Sequence, residues 1–149
     1  MNMDDDQDRR RNWRSSWLGS IQEFADEGTQ RRAWLNPNNS NPHYSFVELM
    51  CCYFDDLALC DGYQLALEEG LVSADEVAVV AEFHVIADTY NSPKSDYGQD
   101  AILGDPKWVE VVAAAKRAQT ALLALIDDPS ERSELTQPGP FAIAAAQGG

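Results

Sequence analysis

The chain has 149 residues, 44% hydrophobic and 24% charged, with 11 Lys and Arg against 25 Asp and Glu and a net charge of −14. This length suits a single domain that buries about 70% of its unfolded surface, and the composition excludes a disordered chain. No run approaches the ~18 apolar residues of a membrane span, and the N-terminal MNMDDDQDRRRNW lacks the apolar stretch of a secretory signal, so a cytosolic protein is expected.

Residues 1–12 are polar apart from two methionines and read as a disordered arm. From Trp13 onward, Trp17, Leu18, Ile21, Phe24 and Ala25 recur at i, i+3, i+4, i+7, which predicts a first helix from about Ser16 to Asp26 with Gly28 beyond its end. A short turn around Arg31–Leu35 follows, and NPNNSNPHY at 36–44 is a loop dense in turn formers.

Ser45 and Glu48 make a capping box that opens a second helix at Phe46. On its wheel Phe46, Leu49, Met50, Tyr53, Phe54, Leu57 and Cys60 share one side. Glu48, Cys52, Asp55 and Leu59 fall opposite, with Asp56 on the flank, so Cys60 is expected inside and Cys52 outside. YQLALEEG predicts a short helix stopped at Gly70. Ser73 and Glu76 open a third helix through about Tyr90 that is apolar nearly all round, so a central position with several neighbours is expected.

Asp105 and Pro106 mark the next helix start, and Trp108, Val111, Val112, Ala115, Ala118, Leu122 and Ile126 form its apolar stripe. Asp127–Asp128–Pro129 ends it, and 129–149 reads as a mobile tail. With no alternating strand pattern and no internal repeat, the expected fold is all-α: one helical bundle of four to five helices over residues 13–128.

The charge is unevenly placed. No Lys or Arg occurs between Arg32 and Lys94, while ten carboxylates do: Glu48, Asp55, Asp56, Asp61, Glu68, Glu69, Asp75, Glu76, Glu82 and Asp88. Such a surface repels nucleic acid and membranes and attracts cations or basic protein, because ordinary solvated surfaces mix both signs. Glu48, Asp55, Asp56, Asp61, Glu68 and Glu69 form the candidate patch, with Tyr53 or Tyr63 as an aromatic anchor.

Catalytic signals are weak. His84 and Asp88, four apart on a helix, would stack on one face and with Asp55, Asp56 or Glu82 would suit a Zn, Mn or Fe site. Neither HExxH nor a paired Glu-x-x-His is present, and there is no glycine-rich phosphate loop. Cys51, Cys52 and Cys60 include no CxxC pair, and the acids around Cys51 and Cys52 would keep those thiols protonated even with His43 or His84 nearby.

The segments YSFVELMCCYFDDL, EEGLVSADEVAVVAEFHVIADTY and ILGDPKWVEVV, within Tyr44 to Ile126, resemble the core of small acidic all-α immunity proteins from bacterial toxin–immunity systems. The resemblance implies a non-enzymatic protein without cofactor that covers the basic active-site or substrate surface of a cognate toxin domain, such as a nuclease. Glu48, Asp55, Asp56, Asp61, Glu68 and Glu69 enter that role by charge and expected exposure, not through a matched motif. The competing expectations are a helical metal-dependent hydrolase built on His84, Asp88 and second-helix carboxylates, and a DNA-mimic inhibitor of the phage type.

Overall fold

A single capped stripe accounts for the longest well-packed helix. The Asp105 side chain accepts from the Lys107 amide, Pro106 occupies the first turn, and Trp108, Val111, Val112, Ala115, Ala118, Leu122 and Ile126 are all buried. The computed structural model describes residues 3–36, 45–95 and 97–139. In chain order these form α1 (Met3–Ala25), α2 (Glu27–Trp34), α3 (Phe46–Cys51) with a π-helical turn (Cys52–Asp56) directly after it, α4 (Gln64–Glu68), α5 (Ala74–Asp88), α6 (Gln99–Leu103), α7 (Pro106–Leu125) and α8 (Pro129–Thr136).

The described residues contain no strand, so the architecture is all-α, as the sequence predicts. The eight α-helices among the described residues exceed the expected four to five. The extra ones are short, and windows of about 11–18 residues do not resolve single turns. Among the described residues no helix is long and apolar enough to cross a membrane.

Helices α1 and α7 pack together at the centre, with α5 along α7 and α8 along α1. Trp108 is the hub: its ring meets Phe24, Trp34, Phe46 and Tyr90, with centroids 5.2–6.0 Å apart. Its indole N–H donates to Gln30 Oε1 at 3.0 Å, while Gln30 Nε2 donates to the Glu23 and Phe24 carbonyls. The buried amide is thereby satisfied, and it pins α2 to the end of α1.

The N-terminal region departs from expectation. Instead of an arm over 1–12, α1 already runs from Met3. Its polar first turns carry no apolar stripe and are held by distant contacts: Arg9 pairs with Glu69, Arg10 donates to the Gly70 carbonyl, and Arg14 reaches Glu76 and Glu131. At the other end, 129–136 is not a loose tail. Asp128 caps α8 by accepting from the Ser130 and Glu131 amides, Leu135 is fully buried, and Glu134 accepts from the Ser15 hydroxyl. Residues 140–149 of the expected tail, and 37–44 of the expected loop with His43, lie outside the described residues.

Helix α5 carries the complete capping box, with Ser73 Oγ accepting from the Glu76 amide and Glu76 accepting from the Ser73 amide. It is not enclosed on all sides, however. Val80, Phe83, His84 and Ala87 are buried, whereas Val85 is 60% exposed and Ala81 faces solvent. As expected it meets several neighbours, with α7 along one side and Phe83 against Phe24 of α1 and Tyr53. Only the far flank is left wet, since isolated apolar side chains at a surface are ordinary.

Candidate partner-binding surface

The stretch from Phe46 to Cys60 forms one wall of the surface. Ser45 Oγ accepts from the Glu48 amide at 3.2 Å and starts α3 as predicted. After one α-helical turn the backbone widens into the π-helical turn, with Tyr53 and Phe54 buried and Asp55 and Asp56 exposed. The helix ends at Leu57, because Ala58 takes the left-handed conformation (φ 56°), and the Leu59 and Cys60 amides both donate to the Phe54 carbonyl.

This break overturns the wheel beyond Leu57. Leu59, expected outside, is fully buried, and Cys60, expected inside, is exposed; Cys52 is half-buried instead of outward. A constant 100° step does not survive a π turn followed by a positive φ.

Three of the expected acids are brought together. Asp55 and Glu48 act on the Cys51 thiol and Asp56 and Glu48 on the Cys52 thiol, so the three carboxylates crowd around this turn. Burial first, then Asp56, pushes the Cys52 thiol up to about 11, and burial, Asp55 and Glu48 raise Cys51 too. Neither cysteine is an activated nucleophile at neutral pH. Asp56 and Glu69 also border one groove, with a volume of about 280 Å³, formed where the second and third turns of α1 pass the Leu57–Leu71 segment. Glu68 is exposed and accepts from Gln64, and Asp61 is exposed in the turn before α4.

The acidic stretch is not without counter-charge, contrary to the sequence reading. Arginines distant in sequence reach it: Arg9 pairs with Glu69, Arg117 with Glu82, and Arg14 with Glu76. Glu76 is buried, not surface charge. Arg14 is itself 3% exposed and donates from Nη1 and Nη2 to the two Glu76 oxygens at 2.8 and 2.7 Å, and from Nε to Glu131 at 2.7 Å. Burial pushes the Glu76 carboxyl up, but the hydrogen bonds from Arg14 and the Ser73 amide outweigh it and hold the group below its usual range. Among the described residues, no Lys or Arg forms an ion pair with Asp55 or Asp56.

Tyr63, expected at the surface as an anchor, is buried at 6% exposure, and Tyr53 is fully buried. Both belong to an internal chain. The Trp17 indole N–H donates to the Tyr63 hydroxyl (2.8 Å), which lies 2.6 Å from the Tyr53 hydroxyl, itself 2.8 Å from His84 Nδ1. With His84 neutral, every donor in the series finds an acceptor: Tyr63 donates to Tyr53 and Tyr53 to Nδ1. Burial lowers the His84 pKa against the opposing pull of Asp88, consistent with the neutral ring. His84 therefore serves the core, and among the described residues no group of three His, Cys, Asp or Glu side chains is arranged to hold a metal ion.

Sequence reasoning missed Trp13, Leu65 and Arg9, which complete the groove beside Asp56 and Glu69. Trp13 preceded the first apolar stripe and was legible as a packing residue, but nothing local pairs Arg9 with a carboxylate sixty residues away. Comparison with protein-family models, with curated proteins and with solved structures finds no match to this chain.

Proposed function

We propose that this protein is a non-enzymatic inhibitor of the immunity type, which binds a basic protein domain, a cognate toxin such as a nuclease, and covers its phosphate-binding surface. The observation that carries this reading is the crowding of Glu48, Asp55 and Asp56 around one π turn, with Asp55 and Asp56 exposed and outside the ion pairs of the described residues. Two unopposed exposed carboxylates beside a third generate a local negative field that steers a cationic partner. Against lysines and arginines that normally hold phosphate, carboxylates form charge-assisted and, with arginine, bidentate hydrogen bonds. Glu69 continues the surface across the groove, and the exposed Asp61 and Glu68 add to the negative charge of the same segment. The tyrosines take no part, since they are committed to the core.

The test is capture of partners from a native-host lysate at low salt, with the wild type and with Asp55→Lys/Asp56→Lys in parallel. A basic toxin domain retained by the wild type, released by salt, and bound at least about 100-fold more weakly by the double reversal supports the assignment. Its unchanged retention by the variant removes this surface from consideration.

A further inference from the structure

The groove between α1 and the Leu57–Leu71 segment has a mixed character that an acidic patch alone does not need. Trp13, Leu57, Ala58 and Leu65 give it apolar walls, and Asp56 and Glu69 stand on its border. Leu65 is 49% exposed, one of the few large apolar side chains left wet in this fold. The Trp13 indole N–H donates to the Leu57 carbonyl at 3.3 Å, which holds the ring as a fixed wall. At about 280 Å³ the space lies at the small end of ligand sites (roughly 300–1,000 Å³), the size of one or two side chains rather than a cofactor.

The chain itself shows what the border accepts. Arg9 sits on Glu69 from the second turn of α1, with its side chain 57% exposed, and lines the same groove. An ion pair this exposed contributes little to stability, so an incoming guanidinium displaces it at little cost.

We propose that this groove receives a segment of the protein partner in which a cationic side chain stands next to a large apolar one. The apolar side chain packs against Trp13 and Leu65, while the cation meets Asp56 and takes Arg9's place on Glu69. This rests on the reading of the acidic face as a partner surface and supplies the apolar anchor that Tyr53 and Tyr63 do not. Burial of apolar area against an aromatic wall, ringed by charges, is the arrangement that concentrates binding energy at protein interfaces.

The full-length protein, isotope-labelled at its tryptophans, tests this by NMR titration of the Trp13 indole resonance, assigned with Trp13→Phe. Three probes are compared: acetyl-Arg-Leu-Arg-Leu-amide, acetyl-Arg-Gly-Arg-Gly-amide and acetyl-Glu-Leu-Glu-Leu-amide. The Arg-Leu peptide is expected to shift Trp13 and to bind about tenfold tighter than the Arg-Gly peptide, with no response to the Glu-Leu peptide. Leu65→Ser, at an exposed position, should weaken the Arg-Leu peptide about tenfold, and Arg9→Ala, which removes the internal competitor, should tighten it. Equal binding of the two arginine peptides, both weakened by Asp55→Lys/Asp56→Lys but indifferent to Leu65→Ser, overturns the groove and leaves the acidic-surface reading standing. No Trp13 response to the Arg-Leu peptide also overturns the groove. Binding of the Glu-Leu peptide as tight as that of the Arg-Leu peptide overturns both.

Discussion

Replacing Arg14 by methionine should be among the most damaging single changes available in this protein. The side chain is 3% exposed and joins three parts of the fold, donating to Glu76 on α5, to Glu131 on α8 and, at 2.9 Å, to the Leu71 carbonyl. Methionine fills much of the same volume, so the loss is electrostatic and not a cavity. What remains is Glu76, 6% exposed, keeping only the Ser73 amide of its present donors. Removing one partner of a buried pair costs about 3–5 kcal/mol because the other charge stays desolvated. Set against a total stability of about 5–15 kcal/mol, that is a large share. The assay is thermal and urea unfolding followed by circular dichroism, with a midpoint drop of about 6–20 °C expected near neutral pH.

The pH dependence makes the prediction specific. In the wild type the folded Glu76 pKa is depressed, so its contribution is present above the unfolded value and is lost as pH falls through the folded one. In Arg14→Met burial is opposed only by the Ser73 amide and the weaker pull of Arg10, its pKa rises, and acidification relieves the buried charge. The gap between variant and wild type should therefore narrow from about pH 7 to about pH 5. Arg14→Met/Glu76→Gln should recover part of the loss, and Arg14→Lys less, since an ammonium does not reproduce the forked contacts. A cost below about 1 kcal/mol, or a gap that does not change with pH, would refute the reasoning.

Other consequences are tested in the same way. Ala58→Gly relieves the left-handed backbone at an exposed position, and after the entropy that glycine adds to the unfolded chain it should stabilise by about 0.5–1 kcal/mol, read as a higher urea midpoint; a lower midpoint would show that Ala58 is unstrained. Glu23 has its Oε1 buried without a hydrogen-bond partner, and burial followed by the nearby Asp26 pushes its pKa up from 4.5 to about 8. Its contribution is thus fully present below about pH 4.5 and is lost as pH rises through about 8, so Glu23→Gln should flatten that decline and add about 1–3 kcal/mol near pH 8; identical stability curves would contradict it.

Glu76 shows why the acidic patch was only partly legible. Its position in the capping box was plain from the spacing Ser73–Glu76, and the structure contains that box in full. Its removal from the surface was not visible, because it depends on Arg14 crossing from α1. The same holds for Glu69 with Arg9 and Glu82 with Arg117: a count of charges within one stretch carries no information about cations folded over it from elsewhere. Tyr53 and Tyr63 had the composition of interface anchors, yet their hydroxyls satisfy each other, Trp17 and His84.

Local chemistry alone sufficed for the helical class, the caps at Ser45, Ser73 and Asp105, the stop at Gly70 and the stripe of α7, since each depends on residues within about two turns of one another. The start of α8 is also written locally, in the Asp128 cap and Pro129, although the same residues read as the end of the preceding helix. Helicity in the first turns of α1 came from tertiary contact, as did the rotation of Leu59 inward past the π turn and the meeting of Asp56, Glu69, Trp13 and Leu65 around one groove. Those features are set by packing and ion pairing between segments tens of residues apart, which compensate for weak local preference and leave no periodic trace in the chain.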